Sequence, residues 1–160
     1  TGQIQTAQQQ IAALAKKDNL TEKEILELCD KLEAQNQYKM AILLLKQQRS
    51  FRELSIQVDK RLAQYLIQNQ EIPEAVKIYK DIVNKYPDNS KYWIQLGKLY
   101  TQKEKQKDAT EAYETALKLD PKDISTMKKL NNLYKWNNRS NDAFVLQRDI
   151  LKQEPNNIEM

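Results

Sequence analysis

A chain of 160 residues with 40% apolar side chains is long enough to bury a core, and two glycines and four prolines among abundant Leu, Ala, Lys, Gln and Glu point to an all-α protein. Cys29 is the one cysteine and histidine is absent, which excludes an internal disulfide, a Cys/His zinc site and the Ser/His and Cys/His nucleophile pairs, while so few glycines leave no phosphate-cradling loop. The net charge of +4 comes from 26 basic and 22 acidic residues interspersed along the chain, only five of them arginines, a balance that argues against nucleic-acid binding.

Helical spacing predicts elements over 3–17, 22–35, 37–49, 52–69, 73–86, 90–103, 107–119, 124–137 and 141–154. The longest apolar run, Met40 to Leu45, falls far short of the ~18 residues that a membrane span needs. The start at Thr1-Gly2, with neither an initiator Met nor a charged-then-apolar leader, reads as a segment of a longer protein. Glu and Asp alternate with Lys along the helical faces, the pattern of a solvated surface rather than of paired catalytic acids. No residue set calls for a metal or a cofactor.

The helices are not independent. Pro87, Pro121 and Pro155 recur every 34 residues, and the same shift aligns Ala75, Ala109 and Ala143; Leu62, Leu96 and Leu130; and Leu66, Tyr100 and Tyr134. One further step back reaches Leu28, Leu32, Ala41 and Leu45, with Glu53 in the place of the proline. The period divides the chain into units 22–55, 56–89, 90–123 and 124–157, the first of them divergent. Helix 3–17 carries Ala7, Ile11 and Leu14 at the places of Ala41, Leu45 and Gln48, so it reads as the second helix of an upstream unit; a short heptad seam for self-association is the alternative. Residues 158–160 form a tail.

Within 90–123, Trp93, Leu96, Gly97 and Tyr100, then Ala109, Tyr113, Ala116 and Pro121, follow the order W-x2-L-G-x2-Y, A-x3-F and P of the tetratricopeptide repeat, and the chain resembles that family over residues 22–157. Asp59 and Met127 stand at the Trp93 place, and Asn131 at the Gly97 place. The resemblance implies antiparallel helix hairpins stacked into a right-handed superhelical solenoid, with the first helix of each hairpin lining a concave groove. Cys29 falls at the small-residue place of Gly97, which gives it a packing role.

A non-catalytic scaffold binding a protein or peptide in that groove is the function this implies. Helical phase places Lys23, Glu27 and Asp30, then Gln57, Lys60, Arg61 and Gln64, then Lys91, Ile94, Gln95 and Lys98, and finally Ser125, Lys128, Lys129 and Asn132 along it, with Trp136 as an anchor at the end of a first helix. The first two units are neutral, the third is +1 and the fourth +3, so an acidic segment of a partner is the expected ligand. The terminal-carboxylate clamp of chaperone-binding members of the family is not reproduced, because its matching places hold Lys60, Gln64, Gln95, Ser125 and Lys129. Leu133-Tyr134-x-Trp136 resembles repeats of bacterial envelope scaffolds for exopolysaccharide assembly and export, which sets the periplasm as one expected compartment and a cytoplasmic adaptor as the other reading.

Overall fold

The computed structural model describes residues 20–154 and Ala13. The expected helix 3–17, Ala13 apart, lies outside the described residues, as do Pro155 and the tail. Eight α-helices and no strand occur among the described residues: α1 Glu22–Ala34, α2 Tyr38–Phe51, α3 Ile56–Gln68, α4 Ile72–Lys85, α5 Ser90–Gln102, α6 Gln106–Leu119, α7 Ile124–Trp136 and α8 Ser140–Gln153. Every second helix begins 34 residues after its counterpart, so the period read from a handful of side chains is also the period of the backbone.

Local chemistry sets these boundaries. The residues before the four first helices are Thr21, Ser55, Asn89 and Asp123, all of the short polar kind that favours an N-cap. Thr21 and Glu24 form a reciprocal capping box, Asn89 accepts from the Lys91 amide, and the Asp123 carboxylate accepts from the Thr126 amide at 3.2 Å and hydroxyl at 2.7 Å. Ser55 makes no side-chain cap; its amide donates instead to Glu22 Oε1 at 2.9 Å. The third helix therefore starts at Ile56 and not at residue 52 as its spacing suggested, because Arg52 is extended and its guanidinium donates to the Leu20 carbonyl.

The turn closing each hairpin is built the same way four times. Asn36, Gln70, Glu104 and Asn138 have left-handed backbones, with φ of 54°, 62°, 55° and 58°. The amide that follows each donates five residues back: Gln37 to Leu32, Glu71 to Leu66, Lys105 to Tyr100 and Arg139 to Tyr134, at 2.8 to 2.9 Å. The left-handed residue's own amide returns to Glu33, Ile67, Thr101 or Lys135. This pair of bonds is the Schellman ending of a helix, here made without glycine, and it reverses the chain in three residues.

The chain divides into two compact units, Thr1–Ile78 and Tyr79–Met160. In the first, Ile25, Leu28, Cys29 and Leu32 of α1, Ala41, Leu44 and Leu45 of α2, and Val58, Leu62, Tyr65 and Leu66 of α3 are buried. Arg49 pairs with Asp59 at 3.0 Å between α2 and α3. In the second, Ala109, Tyr113, Leu130, Leu133, Tyr134 and Ala143 form one cluster, with Ile94, Tyr100, Leu117 and Leu146 packed on it. Ile94, expected along the groove, is half-buried and packs on this cluster.

Gly97 fixes how closely α5 meets α6. A Cβ there would lie 2.8 Å from Cε1 of the Tyr113 ring, inside contact distance, and Tyr113 is only 2% exposed. Trp93 lies half-buried near the start of the same helix and donates its indole N–H to the Pro87 carbonyl at 2.7 Å, tying the preceding loop to α5.

Candidate functional site

The second unit contains a cleft of about 540 Å³ between the second half of α5, the stretch of α6 from Gln106 to Tyr113 and the stretch of α7 from Lys129 to Trp136. Its volume is within the ~300–1,000 Å³ typical of ligand sites. Lys98 and Lys129 face it as the two ionisable cations, and none of its lining residues carries a carboxylate. Tyr113 and Leu133 supply apolar floor, Gln102, Gln106 and Asn132 supply amides, and Trp136 leaves its indole 73% exposed at the end of α7. Burial raises the Tyr113 phenol above its ordinary value, so the hydroxyl beside Thr101 is neutral.

Of the groove residues expected from the sequence, Lys98, Lys129, Asn132 and Trp136 meet here. Lys129 reaches back one turn, its Nζ donating to Ser125 Oγ at 2.8 Å. Lys91 is exposed and Gln95 half-buried on α5, and neither lines the cleft. Lys128 is also outside it, its ammonium held by Glu154 at 2.8 Å. In the first unit, Lys60 and Gln64 are exposed on α3. Arg61 is turned inward along α1, bonding Asp30 and lying 3.4 Å from Glu33, with its guanidinium 5.8 Å from the Tyr65 ring centre.

Tyr65 belongs to the same inward network, its hydroxyl donating to Glu33 at 2.9 Å. Burial, and next the bond to Glu33, push its phenol well above the ordinary range. Cys29 lies beneath it, fully buried, and burial pushes its thiol up to about 12, offset in part by Arg61. A thiol so protonated is a packing group at neutral pH. This cluster is a structural joint between α1 and α3.

Sequence reasoning missed Thr101, Gln102 and Gln106. Continuing the helical phase of Lys98 by one turn leads to Thr101 and Gln102, so the signal for those two was present. Gln106 gave none, because it opens a second helix and reaches the cleft only through the tightness of the three-residue turn.

A second, smaller cleft of about 290 Å³ in the same unit mixes Lys80 with Asp108 and Glu111, against Trp93 and Tyr100. Among the described residues no cluster of His, Cys, Asp and Glu could hold a metal ion, and no helix is long and apolar enough to cross a membrane.

Comparison with known proteins agrees with this architecture. The tetratricopeptide repeat pattern matches residues 56–99 and 90–123. The peroxisomal targeting signal receptor of Saccharomyces cerevisiae is 37% identical over 57 residues, a stretch covering 36% of this chain and only 9% of that receptor. Among solved structures, MamA of Desulfovibrio magneticus RS-1 superposes with a TM-score of 0.70 over 97% of this chain and 88% of its own, at 16% identity. YrrB, described as a TPR protein with an unusual peptide-binding site, gives 0.68 over 84% and 70%, at 11% identity. These likenesses in structure show a shared fold of stacked helix hairpins. With the hairpins, the 34-residue period and the matched pattern together, residues 56–123 are tetratricopeptide repeats.

Proposed function

We propose that this chain is a non-catalytic scaffold that recruits a partner protein by holding an extended segment of it along the first helices of its repeats. The observation that carries the reading is the cleft between α5, α6 and α7, in which an apolar floor, amides and two lysines converge without an opposing carboxylate. The peptide-binding site named for YrrB and the receptor role named for the yeast relative fit a module of this kind. Lys91, Gln95 and Lys128, outside the cleft in the same unit, would steer an acidic segment by their charge and amides.

A pull-down from native lysate with the intact chain and with a Lys98→Glu, Lys129→Glu variant tests this, circular dichroism showing that both are equally helical. The reading expects a partner retained by the intact chain and lost from the variant. Equal capture by both, or capture by neither, would overturn it. The finer assignment, recruitment of polymer-modifying enzymes for exopolysaccharide export, rests on the Leu133-Tyr134-x-Trp136 sequence and the exposure of its indole. It requires the captured partner to be such an enzyme; any other partner rules it out.

A further inference from the structure

We infer that the cleft between α5, α6 and α7 reads an internal short motif in which a large apolar or aromatic side chain lies within two residues of an Asp or Glu. The inference rests on the proposed scaffold function and specifies its ligand. Three features of the cleft select that chemistry.

The first is the exposed indole. Trp136 is 73% exposed although it stands beside apolar floor supplied by Leu133 and Tyr113. A large apolar side chain laid against the indole would remove it from water while the buried Leu133 and Tyr113 back the contact, the arrangement that makes aromatic anchors dominate small interfaces.

The second is charge. An exposed indole also attracts cations, yet Lys98 and Lys129 share the cleft and no lining carboxylate offsets them. Lys98 has no ion-pair partner among the described residues, and Lys129 is bonded to a hydroxyl, with the Asp123 carboxylate outside the cleft within its electrostatic reach. A basic segment is repelled here, and a carboxylate close to the anchor is attracted. The smaller cleft, with Asp108 and Glu111 on its wall, lacks this polarity.

The third is the set of amides. The side chains of Gln102, Gln106 and Asn132 make no hydrogen bond among the described residues, so each keeps a donor and an acceptor for the main chain of a bound segment. A terminal carboxylate is a poorer fit: of the places matching the clamp of chaperone-binding members of the family, held here by Lys60, Gln64, Gln95, Ser125 and Lys129, only Lys129 lines this cleft, and it already donates to Ser125.

An array of random octapeptides, acetylated and amidated at their ends, probed with the intact chain tests the motif. The enriched sequences should carry Phe, Tyr, Trp, Leu or Met within two positions of Asp or Glu. Their Kd, measured by fluorescence polarisation, should rise at least ~10-fold in Lys98→Glu, Lys129→Glu and in Trp136→Ser, and stay unchanged in Lys39→Glu, which changes an exposed lysine of α2. A Lys98→Ala, Lys129→Ala variant keeps the test sound if the glutamates disturb folding, and should show the same loss in weaker form. Enrichment of basic sequences, affinities indifferent to both the lysine and Trp136 changes, or binding only by peptides with a free terminal carboxylate would overturn the inference. In each of those cases a partner lost from Lys98→Glu, Lys129→Glu in the pull-down would still leave the scaffold reading standing.

Discussion

The third and fourth hairpins solve one packing problem in two ways. In α5 and α6 the absence of a side chain at Gly97 admits the Tyr113 ring, and the contact is made by shape. Thirty-four residues on, Asn131 occupies the glycine's place and Gln147 the tyrosine's, and Asn131 Nδ2 donates to Gln147 Oε1 at 2.7 Å. Asn131 is only 4% exposed, so this amide pair replaces a buried aromatic contact with a buried hydrogen bond. The backbone hardly registers the exchange: α7 and α8 have the same lengths as α5 and α6 and the same three-residue turn between them. In the third and fourth hairpins the two positions differ together, a tyrosine facing the glycine and a glutamine facing the asparagine.

Breaking the aromatic version should have the largest effect. Tyr113→Ala removes a buried ring from the central cluster and is expected to cost about 3–5 kcal/mol by urea denaturation, whereas Gln147→Ala, which orphans only the Asn131 amide, should cost about 1–3 kcal/mol. Equal losses at the two sites would mean that the contacts are not counterparts.

Exchanging the solutions sharpens the comparison further. Gln147→Tyr alone should clash with Asn131 and cost about 1–3 kcal/mol, and Asn131→Gly alone should also destabilise. The double change rebuilds the Gly97–Tyr113 pair in the fourth hairpin, and a double-mutant cycle should return a favourable coupling of about 1 kcal/mol or more. Additive effects would contradict the one-position-pair account.

The caps differ between the hairpins as well. Burial opposes ionisation of Asp123, but the hydroxyl and amide of Thr126, with the Ser125 amide, outweigh it and hold the carboxyl below its ordinary range. A carboxyl depressed in the folded state stabilises fully above its unfolded pKa, near ~4, and its contribution fades as pH falls through the lower folded value. Asp123→Ala should therefore cost about 1 kcal/mol at pH 7, and the gap from the parent chain should close in acid. A cost that grew on acidification would reverse the sign and refute the assignment. Smallest of all, Glu104→Gly should stabilise by about 0.5–1 kcal/mol, because it relieves a left-handed backbone at the turn between α5 and α6. The same change at Asn138 should gain less, since Asn already tolerates that conformation.

These contrasts also mark what could be read in advance. The period, the hairpins and the roles of Leu96, Gly97, Ala109 and Tyr113 were legible because burial imposes a spacing that the side chains repeat. The four N-caps were equally present at positions 21, 55, 89 and 123, as Thr, Ser, Asn and Asp, and they place the start of α3 better than its apolar spacing does. The left-handed turns could not be read, because Asn36, Gln70, Glu104 and Asn138 share no glycine to signal them. Of the candidate binding residues, helical phase located Lys98, Lys129, Asn132 and Trp136 on one cleft. It could not foresee that Arg61 turns to Asp30 and Glu33 or that Lys128 engages Glu154, since long cationic side chains choose among neighbours that only the tertiary packing supplies.

Amide-resolved NMR of the chain, titrated with the binding segment of its captured partner, tests the central claim most directly. Binding through the cleft predicts that the largest shift changes fall on Lys98, Gln102, Asn132 and the Trp136 indole, and that they disappear in Lys98→Glu, Lys129→Glu. Changes confined to the smaller cleft around Asp108 and Glu111, or to α1 and α2, would contradict it.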